Sequence, residues 1–434
     1  MIDIYLMGKE KAPGLQRLYS PTIKELAAAI QEHKPHIVHL AGIDSHEHDE
    51  LVRSDSLTLA AAILAAQQKA PAQSTPLAHQ REGEILQRRG SLWLSAAPAV
   101  QWRYQTDALH DRNTPTANGL RENEIGVELP LWRWGQRDAA QAEGEKAQAY
   151  AQQYRQWQAW QVAGEVRDLF WQEQLQAWLV TQAEADVAAF KALESDIERK
   201  VKAGEVAPLE RLIAENARRE RELLLHEAES QHIDVQFRWR TLTGLGALPL
   251  HGEEIQVSDS KPWPPLLTAQ AWAERQQELV KGLKAQGSGS PKLLLGSRRE
   301  RSQNEVVDSV GVTITLPFAG QTHAQAQHLP AQLQLAEAED SVRREQRAAS
   351  MAHHEAHHEL NARASALQQL TARLALAEQE IRLTRRAYQL GETSLQERLL
   401  GEQRYADIAR QHGSAKIAWQ WAIARFNQVQ GVTP

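Results

Sequence analysis

Gly204-Glu205-Val206-Ala207-Pro208-Leu209-Glu210-Arg211-Leu212 and Gly391-Glu392-Thr393-Ser394-Leu395-Gln396-Glu397-Arg398-Leu399 are two versions of one nine-residue phrase, 187 residues apart. The Gly-Glu pair and the Glu-Arg-Leu triplet recur in place. Leu129-Pro130 and Leu316-Pro317 share the same offset, as do Gly244 and Gly431. Anchors in three separate regions with one spacing mark a tandem duplication. The chain divides into an atypical His- and acid-rich segment (1–55), a first repeat (56–245), a linker (246–265) and a second repeat (266–434).

Working outward from the two glycines, each is preceded by a very long helical run. Residues 136 to about 201 hold no proline and are rich in Ala, Gln and Glu. At about 1.5 Å per residue they would form a rod about 100 Å long. Thr322 to about Leu390 repeats the run, with Pro330 expected to kink its first turns. Gly204 and Gly391 then break the helices, and the chain returns through 209–243 and 395–430.

Before each rod comes a short helix and two strands. The first helix is read at 57–70, capped by Ser56 or Thr58 and closed by Pro71. Val100, Trp102 and Tyr104 then alternate with Gln101, Arg103 and Gln105; beyond a turn-rich loop (111–118), Ile125, Val127 and Leu129 alternate with Glu124, Gly126 and Glu128. In the second repeat Leu293 and Leu295 open one strand, and Val310, Val312, Ile314, Leu316 and Phe318 line the other. Such alternation is that of an antiparallel strand between two different surroundings. Four amphipathic strands cannot close a barrel, whereas three chains would pool twelve. Trp93, Trp102, Tyr104, Trp132, Trp134 and Phe318 lie in or beside the strands, as the aromatic girdles of membrane barrels do. The competing reading is a soluble sheet with an aromatic core.

Composition narrows the function. With 42% hydrophobic residues the 434-residue chain can build a large folded structure, and a net charge of −6 argues against nucleic-acid binding. The absence of Cys removes thiol catalysis, disulfides and cysteine lipidation. No run approaches a membrane-spanning helix, and Lys9, Glu10 and Lys11 interrupt any export signal at the start as given. No nucleophile elbow, P-loop or dinucleotide fingerprint is present, so no enzyme is expected.

The arrangement resembles the TolC-like outer-membrane channel (outer membrane factor) family over roughly 56–432. The resemblance rests on the 57–65 helix leading to Pro71, on 126–131 before the first rod with its partner 311–318, and on 386–395 with a closing helix that ends in Gln430-Gly431. Within the family it is most similar to the heavy-metal CzcC/CusC-type branch. It implies a mainly α chain with a small β part, assembling as a homotrimer with a twelve-stranded barrel in the outer membrane of a Gram-negative bacterium and a helical tunnel through the periplasm. The partners implied are a periplasmic adaptor, an inner-membrane RND pump and outer-membrane lipid. The function implied is a passive exit duct of a tripartite efflux system for heavy-metal cations, with no cofactor. Gln101, Arg103, Glu124 and Glu128 would face the lumen. Lys202, Gly204, Glu205, Gly391, Glu392, Ser394 and Leu395 would form the adaptor-docking turns. A soluble or periplasmic coiled-coil scaffold or adaptor is the alternative; it would account for the missing export signal but not for the strand alternation.

Nine of the 17 histidines fall in two clusters: His33, His36, His39, His46 and His48 among acidic residues, and His353, His354, His357 and His358. On a helix 353/357 and 354/358 are i,i+4 pairs, a spacing at which two imidazoles can share Zn, Cu, Ni or Co in transit. The competing reading is an incidental solvated face.

Overall fold

A computed structural model of the chain describes residues 3–7, 16–19, 37–41, 51–69, 74–106, 120–258, 261–302, 305–318 and 321–434. Three short strands, β1 (Asp3–Met7), β2 (Gln16–Tyr19) and β3 (Ile37–Ala41), pair antiparallel in the order β2-β1-β3. The first repeat then runs β4 (Val52–Ser54), α1 (Leu59–Lys69), α2 (Ser74–Ser91), β5 (Ala99–Thr106), β6 (Arg121–Pro130), α3 (Gln136–Lys202) and α4 (Pro208–Thr243). After β7 (Ala247–Pro249), the second runs α5 (Pro264–Gln286), β8 (Lys292–Arg301), β9 (Val306–Thr315), α6 (Gln321–Gln389) and α7 (Leu395–Val429).

The rods span 67 and 69 residues, so each is about 100 Å long. Their return helices have 36 and 35 residues and clad only the distal half. The proximal half is covered by α2 and α5, which pack on α3, while α5 also packs on α6. The two distal turns match in detail. Gly204 (φ 77°) and Gly391 (φ 74°) are left-handed, where a side chain would be strained. The amides of Glu205 and Glu392 donate to the carbonyls of Lys200 and Ala387, both at 2.9 Å, the bond that closes a Schellman turn. Pro208 then starts α4, and a Ser394/Glu397 capping box starts α7.

Two expectations are corrected. The segment after Pro71 holds a second helix, α2, in the first repeat. Its Gly83 and Gly90 lie against the α3 backbone: a Cβ on either would come within 2.9 Å of the amide of Gln148 or within 2.8 Å of that of Gln141. Glycine weakens helix propensity but allows this close approach. The return strand of the second repeat stops at Thr315, before Pro317, and leaves Leu316 and Phe318 outside it. Thr58, not Ser56, caps α1, its hydroxyl accepting from the Ala61 amide at 3.1 Å. The loop 111–118 and the end of the first helix at 70–71 lie outside the described residues.

About halfway along α3 a core gathers Leu51, four residues of α1, Ala163, Val166, Phe170 and Trp171 of α3, Trp239, Leu248 and Ala424. β4 and β7 pair in parallel beside it, so the described chain joins this core from Leu51 onward and the linker contributes to it. Arg167 of α3, 2% exposed, is held here by both repeats and the linker. Its guanidinium donates to both carboxylate oxygens of Glu254 at 2.8 Å, to the Val432 carbonyl at 2.8 Å and to the Gln428 side chain. Asn427 donates to Glu254 at 2.9 Å and accepts from the Val257 amide at 3.0 Å.

Nearer the strands, Glu143 is buried between α2 and α3. Burial raises its carboxyl above the ordinary range; Arg89 and Arg275 oppose this and Glu82 adds to it. A raised native value means the folded chain binds that proton more tightly than the unfolded one, so wild-type stability falls as pH rises through and above the ordinary carboxylate range. Glu143→Gln removes the effect. Its urea midpoint is expected to be at or above wild type at pH 8, with the difference shrinking toward pH 4.5; a variant that loses ground at pH 8 would contradict this.

Candidate functional site

β5, β6, β8 and β9 form one antiparallel sheet in that order, built from both repeats. Its register sorts the side chains. Val100 faces Val127, which faces Leu295, which faces Val312; Trp102 faces Ile125, and Leu129 faces Leu293, which faces Ile314. Opposite this apolar surface, Arg103 faces Glu124 and Glu124 faces Arg298. Gln101 donates to Glu128 at 3.0 Å, Lys292 pairs with Glu128 at 2.9 Å, and Arg298 pairs with Glu122 at 2.7 Å. The four predicted lumen residues thus share one charged face. Lys292, Arg298 and Glu122 join them; residue parity along β8 and β6 would have found them.

Among the described residues of a single chain nothing covers the apolar surface: Val310 and Val312 are 89% and 66% exposed. An exposed apolar surface over four strands is unusual for a soluble monomer, and no described strand pairs with the outer edges of β5 and β9. Gly126, Gly296 and Gly311 are cross-strand neighbours, a row without side chains on the charged face. Such a row lets the sheet curl toward that face, as a barrel wall requires. The predicted belt aromatics fall at two levels. Trp102 and Tyr104 lie within β5, while Trp93, Trp132, Trp134 and Phe318 lie at the helical ends of the strands, Trp134 and Phe318 almost fully exposed. No helix among the described residues is long and apolar enough to cross a membrane.

At the far end, the two turns sit side by side on a shared cluster of Leu193, Ile197, Ala214, Tyr388 and Leu395. Lys200 of α3 and Arg398 of α7 lie over the Tyr388 ring at 4.7 and 4.8 Å, so this one ring links both hairpins. Sequence reasoning missed Tyr388 as a site residue because its partners are brought there by the fold. Gly204, Glu205, Gly391 and Glu392 are exposed. Lys202 pairs with Glu198 at 2.9 Å and Ser394 caps α7. Leu395, expected among the docking residues, is 4% exposed and supports the turn from within.

Of the α6 histidines, the rings of His354 and His358 are 6.4 Å apart, His353 turns toward Trp263, and His357 accepts from the Asn361 amide at 3.2 Å. No group of three or more ligands able to hold a metal occurs among the described residues. His33, His36, His46 and His48 lie outside the described residues, and the side chain of His39 is likewise outside them.

No family model matches the sequence, and no curated protein matches it. Solved structures do. The CmeC outer membrane channel of Campylobacter jejuni aligns over 86% of this chain and 85% of its own, with a TM-score of 0.70 at 13% identity. The outer membrane protein VceC of Vibrio cholerae aligns over 86% and 96%, at 0.70 and 14%. CusC, described for its folding and transmembrane channel formation, aligns over 86% and 92%, at 0.69 and 12%. At such identities the likeness establishes architecture alone: this chain has the fold of outer-membrane channel proteins.

Proposed function

We propose that this chain is the outer-membrane channel component of a tripartite efflux system, a homotrimer in which β9 of each chain pairs with β5 of the next to close a twelve-stranded barrel. The observation that carries this reading is the two-faced sheet at the end of 100 Å rods: over its rod-side half one face is apolar, giving way to the Arg299–Asp308 pair toward the loops, and the other face is mainly charged. The apolar side, flanked by Trp93, Trp102, Tyr104, Trp132, Trp134 and Phe318, would meet lipid; Gln101, Arg103, Glu124 and Glu128 would line the water-filled duct. It acts as a passive conduit without a catalytic group. Membrane fractionation of the protein expressed from its native locus, with native mass of the extracted product, tests the reading. Three copies in the outer-membrane fraction support it; a monomer confined to the cytosol would sink it and favour a scaffold.

The exposed turns around Gly204 and Gly391 are the docking surface for a periplasmic adaptor, with Glu205 and Glu392 as accessible anionic contacts. Charge reversal at both, Glu205→Arg with Glu392→Arg, is expected to lower export at least tenfold in cells while the extracted trimer stays intact. Unchanged export would remove the docking role from these turns. Divalent heavy-metal cations are the cargo we assign, on His353, His354, His357 and His358, of which 354 and 358 are poised for weak, transient binding.

A further inference from the structure

A cavity of about 230 Å³ opens between α3, α5 and α6, on the strand side of the central core. Each helix presents one stripe to it: Tyr150, Tyr154 and Trp157 from α3, Pro265, Thr268, Ala269 and Trp272 from α5, and Ser341 and Glu345 from α6. The four aromatic rings form a chain of contacts, Trp272–Tyr150–Tyr154–Trp157. Tyr150 lies 4.9 Å from Trp272 and 5.8 Å from Tyr154, and Tyr154 lies 5.3 Å from Trp157, centroid to centroid. Behind them His79 of α2 meets both tyrosines edge-on at 5.0 Å and fixes their orientation.

The polar inventory of this cavity is one-sided. The Thr268 hydroxyl is spent on the carbonyls of Gln153 and Pro264. Among the described residues no lysine or arginine lines the wall. Arg275 touches Trp272 at 5.1 Å, but it is committed to Glu82 through two hydrogen bonds of 3.1 and 2.6 Å. Among the described residues the single charge on the wall is the Glu345 carboxylate, for which no ion pair or hydrogen bond is found there.

We infer that this cavity is a binding site for an organic ammonium ion, with the quaternary or methylated head between the rings of Tyr150, Tyr154, Trp157 and Trp272 and its charge balanced by Glu345. Aromatic faces carry negative potential and attract a weakly hydrated cation. A compact, strongly hydrated metal ion gains much less there, because the described wall offers it one carboxylate and no His, Cys or second acid to replace its water. The volume suits a trimethylammonium head with a short tail. All the lining residues come from one chain, so the inference does not rest on the channel reading.

The probe is choline, titrated into the purified full-length protein by calorimetry, with 3,3-dimethylbutan-1-ol as the uncharged isostere of the same shape. Saturable choline binding is expected, with the alcohol at least tenfold weaker. Trp272→Ala should weaken choline at least tenfold. Glu345→Gln, a change on a partly exposed helix face that leaves the fold intact, should weaken it about three- to tenfold and leave the alcohol unaffected. Equal binding of the two probes, no saturable choline binding, or choline affinity unchanged in Glu345→Gln would each overturn the assignment.

Discussion

Arg167→Leu is expected to lower stability by about 3–5 kcal/mol, the usual cost of removing one partner from a buried ion pair. The variant leaves Glu254 without its twin hydrogen bonds and the Val432 carbonyl without the Arg167 donor. Three parts of the chain lose a common anchor at once: the first rod, the linker and the end of α7. The double change Arg167→Leu with Glu254→Leu should recover a large part of the loss, because it removes both charges. Urea unfolding of the single and double variants separates this from a mere packing defect, in which case the second substitution would add to the damage.

Val312→Arg and Thr313→Arg should behave oppositely although they are neighbours in β9. Val312 lies in the apolar row with Leu295, Val127 and Val100. If that row faces hydrocarbon, an arginine there costs about 2–4 kcal/mol per copy. With one copy in each of three chains, the assembled protein should all but vanish from the outer membrane. Thr313 lies on the charged face opposite Leu294, where a cation meets water, and its variant should accumulate at close to wild-type level. Immunoblots of outer-membrane fractions compare the two. Equal tolerance at both positions would mean that neither face contacts lipid.

Most of the helical frame was legible because it is encoded twice. Shifted by 187, the bounds of α3 and α4 fall within about two residues of those of α6 and α7, and the same left-handed glycine closes both turns. Strand alternation was legible for a related reason: period two needs only a handful of residues to declare itself. What failed depends on partners distant in sequence. α2 escaped because Pro76, Gly83 and Gly90 depress its propensity, while the contact that stabilises it is with α3, about sixty residues on. Leu395 looked like a turn residue beside Ser394, yet Ile197 and Tyr388 enclose it. The Arg167–Glu254–Asn427 network and the four-ring cavity join segments 87 to 260 or so residues apart, and no local pattern announces them.

The barrel wall is the centre of the account, and electrical conductance tests it most directly. Full-length protein, purified in detergent and added to a planar lipid bilayer, should produce discrete unitary current steps, and the Val312→Arg protein should produce none. Folded wild-type protein that leaves the bilayer silent across the whole range of applied voltage would contradict the channel.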